Sequence, residues 1–462
     1  MPAVDMVMLL RAYACTYLHL LLMLLPCCGL HAAQPQPPDE PRLLLQIKSV
    51  WGDPPVLASW NVSATAAHCR WPYVRCNRAG HVSGLFLANT KVSGPFPGGA
   101  IANLSSLRHI DIFNNSIADV FPTLLYHCRS LQYLNLSYNL FNGELPADIG
   151  HGLAASLTTL DLSGNEFSGT IPASLSRLQN LKFLVLDNNF FVGSIPAELG
   201  ELTSLQTMYL GGNSFDAGEL PPSFGKLANL STLDARNCNL VGSIPPGIWT
   251  LKKLQELILY KNKLTGNVVM DGFAAMSLKR IDLADNNLSG IIPGIFGHLE
   301  NLNGLELYKN NFSGEIPTSI GWLPSLQALS LGTNRLNGTL PSELGKHASA
   351  LKYVAVDDNE LTGVIPEGLC DRRRLQYFIA SSNQLNGSIP AGLANCATLK
   401  ALVLDSNQLS GQVPQAMTWT VLTIFTASNN LFSGEIPAGP VSSMPLLQKL
   451  NLSGNQLSGC IP

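Results

Sequence analysis

Acidic and basic side chains recur in this chain at intervals close to 24 residues, at the outward positions of a repeated pattern. The acids at these positions are Asp111, Asp161, Asp187, Asp234, Glu256, Asp282, Glu306, Asp357 and Asp405. The bases there are only Arg236, Arg280 and Lys449. If these side chains share one surface, that surface is acidic and favours a ligand with basic residues. The other interpretation is that Asp at this position only keeps the surface soluble.

Aromatic side chains occupy the same outward positions and supply a second kind of recognition chemistry. They are Phe113, Tyr133, Phe183, Tyr209, Tyr260, Tyr308, Tyr353 and Tyr377. Exposed aromatic rings bury a large area at small entropic cost, so they often dominate binding energy. Tyr260 and Tyr308 lie two repeats apart, which is about 10 Å at the spacing of neighbouring strands. The candidate ligand-binding residues are therefore Arg236, Tyr260, Arg280, Asp282, Glu306, Tyr308, Tyr353 and Asp357. The alternative is that Glu256 and Arg280, at matching positions of adjacent strands, only pair with each other.

Catalytic motifs are missing from the sequence. It contains no phosphate-binding loop, no Gly-x-Gly-x-x-Gly after a strand, no His-Glu-x-x-His and no Gly-x-Ser-x-Gly. The nine histidines are scattered without the spacing of metal ligands. We therefore expect no enzymatic activity, no metal and no cofactor.

The elements that position the outward residues are sequence repeats. The pattern Leu-x-x-Leu-x-Leu-x-x-Asn-x-Leu-x-Gly-x-Ile-Pro occurs fifteen times from Leu107 to Pro462, after a degenerate copy that begins at Val82. Its Asn, called here the ladder Asn, falls at Asn115, Asn139, Asn165, Asn189, Asn213, Asn262, Asn286, Asn310, Asn334, Asn359, Asn383, Asn407, Asn430 and Asn455. A fixed period of this length indicates a solenoid of stacked coils.

Each part of the pattern has a physical role in such a stack. The Leu-x-Leu segment predicts a short strand with leucines inward and the intervening residues outward. The ladder Asn can satisfy backbone groups of neighbouring coils that would otherwise be buried without partners. The sequence thus predicts a leucine-rich-repeat solenoid of the α/β type, a right-handed superhelix. It has about 16 repeats of about 24 residues, with short parallel strands on its concave face.

The pattern departs from its consensus at a few places. Thr90 and Cys238 replace the ladder Asn, Ala217 is an insertion, and Val269 stands where Pro is expected. We expect local changes of the coil at these positions.

The N-terminal sequence indicates the cellular compartment, and the net charge limits the kinds of partner to expect. Arg11 and the apolar run Ala12 to Leu25 predict a signal peptide over 1–33, because the run is too short to span a membrane. A cap over 34–80 and repeats over 81–462 then make up the mature chain. The formal charge of -3 gives no reason to expect nucleic acid or an anionic membrane as a partner.

A cap is expected ahead of the repeats, because the first coil would otherwise expose its apolar end. Residues 43–51 have helical apolar spacing, and Gly-Asp-Pro-Pro at 52–55 ends it. Trp60 supplies aromatic cover. The short loop from Cys69 to Cys76 predicts a disulfide that closes the cap.

The remaining cysteines divide into a second pair and three single residues. Cys370 and Cys396 occupy nearly equivalent places in consecutive coils, so stacking brings them within bridging range. Cys128 and Cys238 are expected to stay as buried thiols. Cys460 is expected to await a partner outside this chain.

Asn-x-Ser/Thr sequons are numerous, as in secreted glycoproteins. Glycosylation is predicted at Asn61, Asn103, Asn114, Asn135, Asn229, Asn287, Asn311, Asn337, Asn386 and Asn451. Several of them arise from the repeat pattern itself, which weakens the inference from their number.

The sequence of the cap resembles that of the plant leucine-rich-repeat receptors. Their N-terminal cap has the pattern Leu-Leu…Lys…Asp-Pro…Trp-Asn…Cys-x-Trp…Val-x-Cys. The segment Cys-Arg-Trp-Pro-Tyr-Val-Arg-Cys from Cys69 to Cys76, with Leu-Tyr-Lys-Asn at Leu259 and Leu307, looks most like the HAESA-like branch of peptide-hormone receptor kinases. The resemblance covers 41–462. It implies an extracellular module of the apoplast that binds a secreted peptide or protein on its concave face. It also implies a shorter leucine-rich-repeat co-receptor near the C-terminal repeats.

Two features of the family are absent from the sequence. The chain stops inside a repeat at Ile461-Pro462, before the family's membrane helix and kinase, so we expect either a truncated product or a fragment of a receptor anchored at the plasma membrane. Many relatives carry Arg-x-Arg on a late strand to hold the peptide's carboxylate. The late strands here begin at Lys400 and Thr423 and lack it.

Two further interpretations remain open. The chain resembles secreted polygalacturonase-inhibiting proteins, which use the same repeat but have fewer copies and a cysteine-bearing C-terminal cap. It is also compatible with a soluble decoy that binds a receptor's peptide without signalling.

Overall fold

The computed structural model describes residues 39–61, 68–414, 417–436 and 444–460. The signal peptide expected over 1–33 lies outside the described residues. All elements named below belong to the unit Glu40–Pro462. Among the described residues, no helix combines the length and apolarity that crossing a membrane requires.

One long sheet of 17 strands runs through the repeats. Its strands are Val74–Cys76, Val82–Phe86, His109–Asp111, Tyr133–Asn135, Thr159–Asp161, Phe183–Val185, Thr207–Tyr209, Thr232–Asp234, Glu256–Ile258, Arg280–Asp282, Gly304–Glu306, Ala328–Ser330, Tyr353–Ala355, Tyr377–Ile379, Ala401–Val403, Ile424–Thr426 and Lys449–Asn451. The first strand pairs antiparallel with the second, and every later strand pairs parallel with its predecessor in the chain. The chain therefore forms the predicted leucine-rich-repeat solenoid.

The register of this sheet places one residue type of the repeat beside the same type in the next coil. Arg280 lies beside Glu256 on one side and Gly304 on the other, and Asp282 lies beside Glu306. The middle residue of each three-residue strand is buried almost everywhere, while its neighbours face outward. The outward side of the long sheet is called here the sheet face. It is the surface that the sequence predicts to be concave.

A second set of short strands follows the turn of most coils. They are Ser93–Gly94, Ser116–Ile117, Asn142–Glu144, Glu166–Ser168, Gly218–Glu219, Leu240–Val241, Thr265–Asn267, Asn287–Ile291, Asn311–Glu315, Arg335–Asn337, Thr362–Val364, Gln384–Gly387, Gln408–Gln412, Leu431–Glu435 and Gln456–Ser458. These strands form several small parallel sheets along the flank of the stack. The chain thus leaves each coil with little unpaired backbone.

Short helices close the coils on the side away from the long sheet. The α-helices are Glu40–Val50, Gly98–Ile101, Ile149–Gly152 and Ala391–Ala394. The 3₁₀ helices are Pro55–Leu57, His68–Arg70, Thr123–His127, Ala173–Arg177, Ala197–Glu201, Pro222–Lys226, Pro246–Thr250, Gly294–His298, Thr318–Trp322 and Glu367–Cys370. Many of them follow the Pro of the repeat, whose fixed φ suits the start of a helix. The coil of Val269 has no assigned helix between Thr265–Asn267 and Arg280–Asp282.

The core is a continuous column of leucines with a spine of phenylalanines. The rings of Phe141, Phe167 and Phe191 are fully buried, and successive centroids lie 6.0 and 6.4 Å apart. No single repeat could bury this surface alone, so stacking supplies the driving force for folding.

The ladder Asn satisfies the backbone where each coil turns. Asn139 Nδ2 donates to the carbonyl oxygen of Ile112 in the preceding coil at 2.9 Å and to that of Leu136 at 3.1 Å. Its Oδ1 accepts the N–H of Ile117 at 3.1 Å. The residue before each ladder position has a positive φ between 51° and 70°, which turns the chain off the strand. The ladder role expected from the sequence is confirmed.

The ladder changes where Asn is replaced. Thr90 Oγ1 donates to the Leu87 carbonyl oxygen at 2.7 Å, and Cys238 Sγ donates to that of Leu210 at 3.3 Å. In both coils the residues on either side of the replacement have φ between 51° and 58°, whereas next to a ladder Asn only the preceding residue has a positive φ. Each substitute therefore replaces only part of the amide's function, since neither hydroxyl nor thiol offers both a carbonyl oxygen and an NH₂ group.

The cap closes the first coil through a buried carboxylate and a pair of tryptophans. Glu40, 3% exposed, accepts from the Val82 N–H at 2.9 Å and lies 3.1 Å from His68 Nε2. The indoles of Trp60 and Trp71 stack with centroids 5.9 Å apart. The cap helix is thereby fixed to the first repeat strand by a hydrogen bond and by packing.

Candidate functional site

Six of the predicted ligand-binding residues meet on four neighbouring coils of the sheet face. They form the central patch, defined here as Arg236, Tyr260, Arg280, Asp282, Glu306 and Tyr308. The parallel register brings them together although they span about three repeats of sequence. Arg280, Asp282 and Glu306 lie in strands, which hold side chains more rigidly than loops do. The other three residues lie two positions after the ends of their strands.

Arg280 is the centre of one charged network in the patch. Its Nη2 lies 2.8 Å from Glu306 Oε2 and 3.0 Å from Asp282 Oδ2. The alternative expected from the sequence, an ion pair between Arg280 and Glu256, is not formed, because the guanidinium points to the following strand. Arg280 remains 40% exposed, so one edge of the guanidinium still faces solvent.

Arg236 is the centre of a second network, on the preceding coils. Its Nη1 lies 2.9 Å from Asp234 Oδ2, and its Nη2 lies 3.9 Å from Asp187 Oδ2 two coils away. The side chain crosses Gly211 to reach that carboxylate, and a Cβ at position 211 would lie 2.7 Å from Arg236 Cγ. Glycine at this position is what lets one arginine bridge two acids.

Burial and neighbouring negative charges raise the pKa of an acid in each network. Burial, with the negative charge of Asp161 nearby, raises the pKa of Asp187 to about 6. Burial also raises the pKa of Asp282, and the adjacent carboxyl of Glu306 raises it further. Carboxylates held close together in a partly buried site share protons more readily than isolated ones. The charge of the central patch and of the adjoining Arg236 network therefore depends on pH.

The two tyrosines supply the apolar part of the patch. Tyr308 is 42% exposed, Tyr260 is half-buried, and Ala284 occupies the matching position on the strand between them. Among ring pairs of the described residues, neither phenol stacks on another aromatic ring. Beside Tyr308, Lys309 Nζ lies 2.8 Å from Asp285 Oδ1. Tyr308 is therefore exposed to a ligand and Tyr260 partly so, and neither ring is held in an aromatic stack.

Tyr353 and Asp357 extend the same surface toward the C-terminus. Tyr353 packs against Tyr377 with ring centroids 5.9 Å apart. Burial raises the pKa of Asp357, and a Cβ at Gly332 would lie 2.6 Å from its Oδ1. The sheet face thus places these two predicted residues beyond the central patch on the following coils, next to an aromatic pair.

The N-terminal strands carry an arrangement that sequence reasoning missed, called here the aromatic stack. The Arg75 guanidinium lies 4.3 Å from the Phe86 ring, the Phe86 and His109 centroids are 4.3 Å apart, and those of His109 and Tyr133 are 4.0 Å apart. The Phe86 ring lies over Gly84, where a Cβ would be 2.6 Å from it. Burial lowers the pKa of His109. The signal was present, because His109 and Tyr133 occupy the same repeat position.

The chain is similar to solved structures over most of its length. The crystal structure of the Arabidopsis receptor kinase HAESA, in complex with the peptide hormone IDA and the co-receptor SERK1, is similar with a TM-score of 0.80 and 33% identity. The match covers 92% of this chain and 75% of that chain. The chain belongs to the plant leucine-rich-repeat receptor family.

Other members of the leucine-rich-repeat receptor family give the same result. The crystal structure of a TDR receptor is 36% identical with a TM-score of 0.75, over 81% of this chain and 68% of that chain. The family model "Leucine rich repeat" matches 82–141, 155–215 and 276–336, and "Leucine rich repeat N-terminal domain" matches 37–77.

Curated relatives match over shorter segments. Receptor-like protein kinase 7 of Arabidopsis thaliana is 34% identical over 110 residues, which is 23% of this chain and 11% of that protein. Polygalacturonase inhibitor 1 of Oryza sativa subsp. japonica is 32% identical over 104 residues, which is 22% of this chain and 31% of that protein. The matched segments therefore span less than a third of either relative.

The disulfide pairs are the two expected from the sequence. Cys69 is bonded to Cys76, and Cys370 to Cys396, with Cα–Cα distances of 5.4 and 5.9 Å. Cys128 and Cys238 are buried thiols, and burial raises the pKa of Cys238 to about 12. The only cluster of metal-ligating residue types in the described parts of the chain is formed by His68 with Cys69 and Cys76. Its sulfurs are committed to the disulfide, so it offers no thiolate ligands.

The predicted glycosylation sites differ in exposure. The exposed asparagines are Asn61, Asn103, Asn114, Asn287, Asn337 and Asn386, and those partly exposed are Asn229, Asn311 and Asn451. Asn135 is 7% exposed, and its Oδ1 accepts from the N–H and Oγ of Ser137. Asn135 is thus the sequon least accessible to a glycan, and glycosylation at all ten stays a prediction.

Proposed function

We propose that this chain is an extracellular recognition module that binds a secreted peptide or protein on the sheet face, with the central patch as its contact surface. The observation that carries the proposal is the pair Tyr260 and Tyr308, whose unstacked rings flank two arginine-centred networks. Rigid aromatic anchors beside charged groups are typical of binding hot spots. The similarity to a solved receptor in complex with a peptide hormone supports peptide binding as the function.

The expected ligand carries basic residues next to an apolar side chain. Asp234 and Glu256 lie beside the patch on strands of the same sheet, and together with Glu306 they make this part of the sheet face acidic despite the two arginines. Complementary charge increases the rate of encounter and rejects ligands of like charge. A shorter leucine-rich-repeat co-receptor is proposed as a second partner, and the apoplast or outer face of the plasma membrane as the location.

Titration calorimetry with a panel of synthetic basic peptides tests the proposal. The double change Tyr260→Ala and Tyr308→Ala is expected to weaken the tightest peptide by about 2–4 kcal/mol, because two anchors are removed. Phe183→Ala is the matched control, since Phe183 is 39% exposed on a distant strand of the same face. Equal affinity of the double variant and the unmodified protein would remove the central patch from the binding site.

Inhibition of a cell-wall-degrading enzyme is the second candidate function, and the similarity to a polygalacturonase inhibitor favours it. An assay of purified polygalacturonases with and without the protein separates the two. Inhibition that persists in the double tyrosine variant would support an inhibitor that uses another surface. A soluble decoy would bind the same peptide as the receptor module, so the calorimetric test applies to it unchanged.

A further inference from the structure

A cavity of about 480 Å³ lies beside the coil in which Cys238 replaces the ladder Asn. Phe215, Asn237 and Asn239 contribute to its lining from the coils on either side of the replacement. The cavity adjoins the central patch, because the Asn237 N–H donates to the carbonyl oxygen of Tyr260 at 3.0 Å. It is therefore a recess at the edge of the proposed contact surface.

The replacement leaves one backbone donor without its usual acceptor. In the neighbouring coils, Asn213 Oδ1 accepts the Phe191 N–H at 3.2 Å, and Asn262 Oδ1 accepts the Leu240 N–H at 3.0 Å. The equivalent donor in the intervening coil is the N–H of Phe215. The Cys238 thiol has no carbonyl oxygen to offer, and no acceptor for this N–H occurs in the described part of the chain. Buried backbone donors are almost always paired, so this donor indicates a missing acceptor.

Positive charge collects at the same cavity. Lys261 and Lys263 both contribute to the lining, and both side chains are exposed. Neither forms an ion pair with any described residue. The one acid in the lining, Asp285, lies 2.8 Å from Lys309 Nζ and is neutralised by it. The cavity is thus cationic although the sheet face beside it is acidic.

We propose that the cavity is an oxyanion site, which takes a carboxylate or sulfate group between the Phe215 N–H and the ammonium groups of Lys261 and Lys263. Charge-assisted hydrogen bonds to such groups are stronger than those between neutral partners. The proposal deepens the proposed function, because it assigns the ligand an anionic group beside its basic segment. The site's own affinity for small anions does not depend on the peptide.

The substitution Cys238→Asn tests the backbone donor directly. Asparagine is the residue of the other coils, so its Oδ1 is expected to accept the Phe215 N–H and withdraw it from the site. The folded protein should keep or raise its Tm, because the ladder is completed. Lys261→Gln with Lys263→Gln removes the charges and serves as a second variant if Cys238→Asn does not fold.

The probes are sodium sulfate and sodium acetate, titrated at constant ionic strength, with selenate soaked into crystals of the unmodified protein. We expect an anomalous selenium peak within hydrogen-bonding distance of the Phe215 nitrogen, and binding of the preferred anion at least about tenfold weaker in both variants. Tighter binding of acetate identifies a carboxylate as the natural group, and tighter binding of sulfate identifies a sulfate ester. The matched control is Lys252→Gln with Lys253→Gln, which should leave the affinity unchanged.

Two results would overturn the oxyanion site. One is the absence of any peak at the cavity together with no measurable binding of either anion. The other is binding that is equal in the unmodified protein and both variants, which means an adventitious ion only. Because no peptide enters these titrations, they leave the outcome of the Tyr260 and Tyr308 experiment untouched. The oxyanion site and the peptide-binding patch can therefore fail separately.

Discussion

The aromatic stack and the central patch lie on the same parallel sheet, but the aromatic side chains of the two regions make different contacts. In the stack, Phe86, His109 and Tyr133 come from consecutive strands, and the faces of the His109 ring are covered by its neighbours. In the central patch, Tyr260 and Tyr308 are separated by Ala284, so neither ring face is taken by another aromatic.

This difference in ring contacts depends on which residue types occupy the same repeat position in consecutive coils. Neighbouring strands lie about 4.8 Å apart, close to the distance at which aromatic rings stack, so aromatic residues in consecutive coils stabilise each other. A small residue between two aromatics breaks the stack and leaves exposed ring faces. The N-terminal strands therefore stabilise the fold through stacked rings, and this difference supports the proposal that a ligand binds at the central strands.

Charge follows the same division. Arg75 lies over the Phe86 ring and extends the stack, whereas Arg236 and Arg280 each lie between two acids. A cation over a ring adds packing without fixing a net charge. A cation between two carboxylates offsets their mutual repulsion, so its removal is expected to lower the stability of the folded protein.

The largest effect is expected from Arg280→Ala, which leaves the carboxyls of Asp282 and Glu306 side by side without a cation. Asp282 is 3% exposed, so its charge is poorly solvated. We expect the free energy of unfolding at about pH 9, where Asp282 is ionised, to fall by about 1–3 kcal/mol, less than for a fully buried pair because Arg280 is partly exposed. Urea denaturation measures the change.

The control for Arg280 is Arg108→Ala, an exposed arginine on the same sheet face. It should change the free energy of unfolding by less than about 0.5 kcal/mol. The loss in Arg280→Ala should be smaller at about pH 6 than at about pH 9, because the pKa of Asp282 is raised to about 8 and its carboxyl is neutral at the lower pH. A loss of equal size at both pH values would contradict the arginine's role as counter-ion.

The next effect concerns the aromatic stack. His109→Ala removes the middle ring, and we expect the free energy of unfolding to fall by about 1–2 kcal/mol through lost packing on both sides. His109→Phe keeps a flat ring and should retain most of the stability. Phe183→Ala, at the same repeat position but without a stacked neighbour among the described residues, is the control.

Denaturation curves of the three variants decide between stacking and simple burial. Equal losses in His109→Ala and His109→Phe would mean that the imidazole nitrogens, not the ring faces, stabilise this region. A loss in Phe183→Ala as large as that in His109→Ala would mean that the stack has no special role.

Most of the fold could be predicted from the sequence because the repeat is dense. The ladder Asn fixes the turn of each coil, and the register then determines which side chains face outward. The pair Cys370 and Cys396 followed from the same periodicity. Such predictions depend only on backbone positions, which the repeat sets within narrow limits.

Side-chain direction and the effects of departures could not be predicted in the same way. Glu256 and Glu306 are both one strand away from Arg280, and only the rotamer decides which of them it reaches. His109 did not fit a metal-ligand pattern, so its stacking position was overlooked. Cys238 was recognised as a substitution, but the lost acceptor and the cavity depend on neighbouring coils. These features arise from contacts between repeats that differ from the consensus in different ways.

The smallest expected effect is a pH dependence of the free energy of unfolding, which should differ between the Arg236 network and the aromatic stack. Burial raises the pKa of Asp187 to about 6, with the charge of Asp161 acting in the same direction and that of Arg236 against it. The folded state therefore holds a proton on Asp187 more tightly than the unfolded state. The stability from this group rises as the pH falls from about 7 through 6, and levels off below the ordinary pKa near 4.

Asp187→Asn removes this titration while keeping the size of the side chain. We expect the unmodified protein to gain about 1 kcal/mol more than the variant in free energy of unfolding between pH 7.5 and pH 4.5. Urea denaturation at the two pH values measures the difference, and Asp216→Asn, an exposed acid off the sheet face, is the control. If Asp187→Asn and the unmodified protein gain equally, the pH dependence does not arise from the Arg236 network.

The lowered pKa of His109 acts with the opposite sign, since folding then disfavours the protonated imidazole as the pH falls. His109→Phe should therefore enlarge the gain on acidification, whereas Asp187→Asn should reduce it, and the two opposite changes distinguish the stack from the central strands.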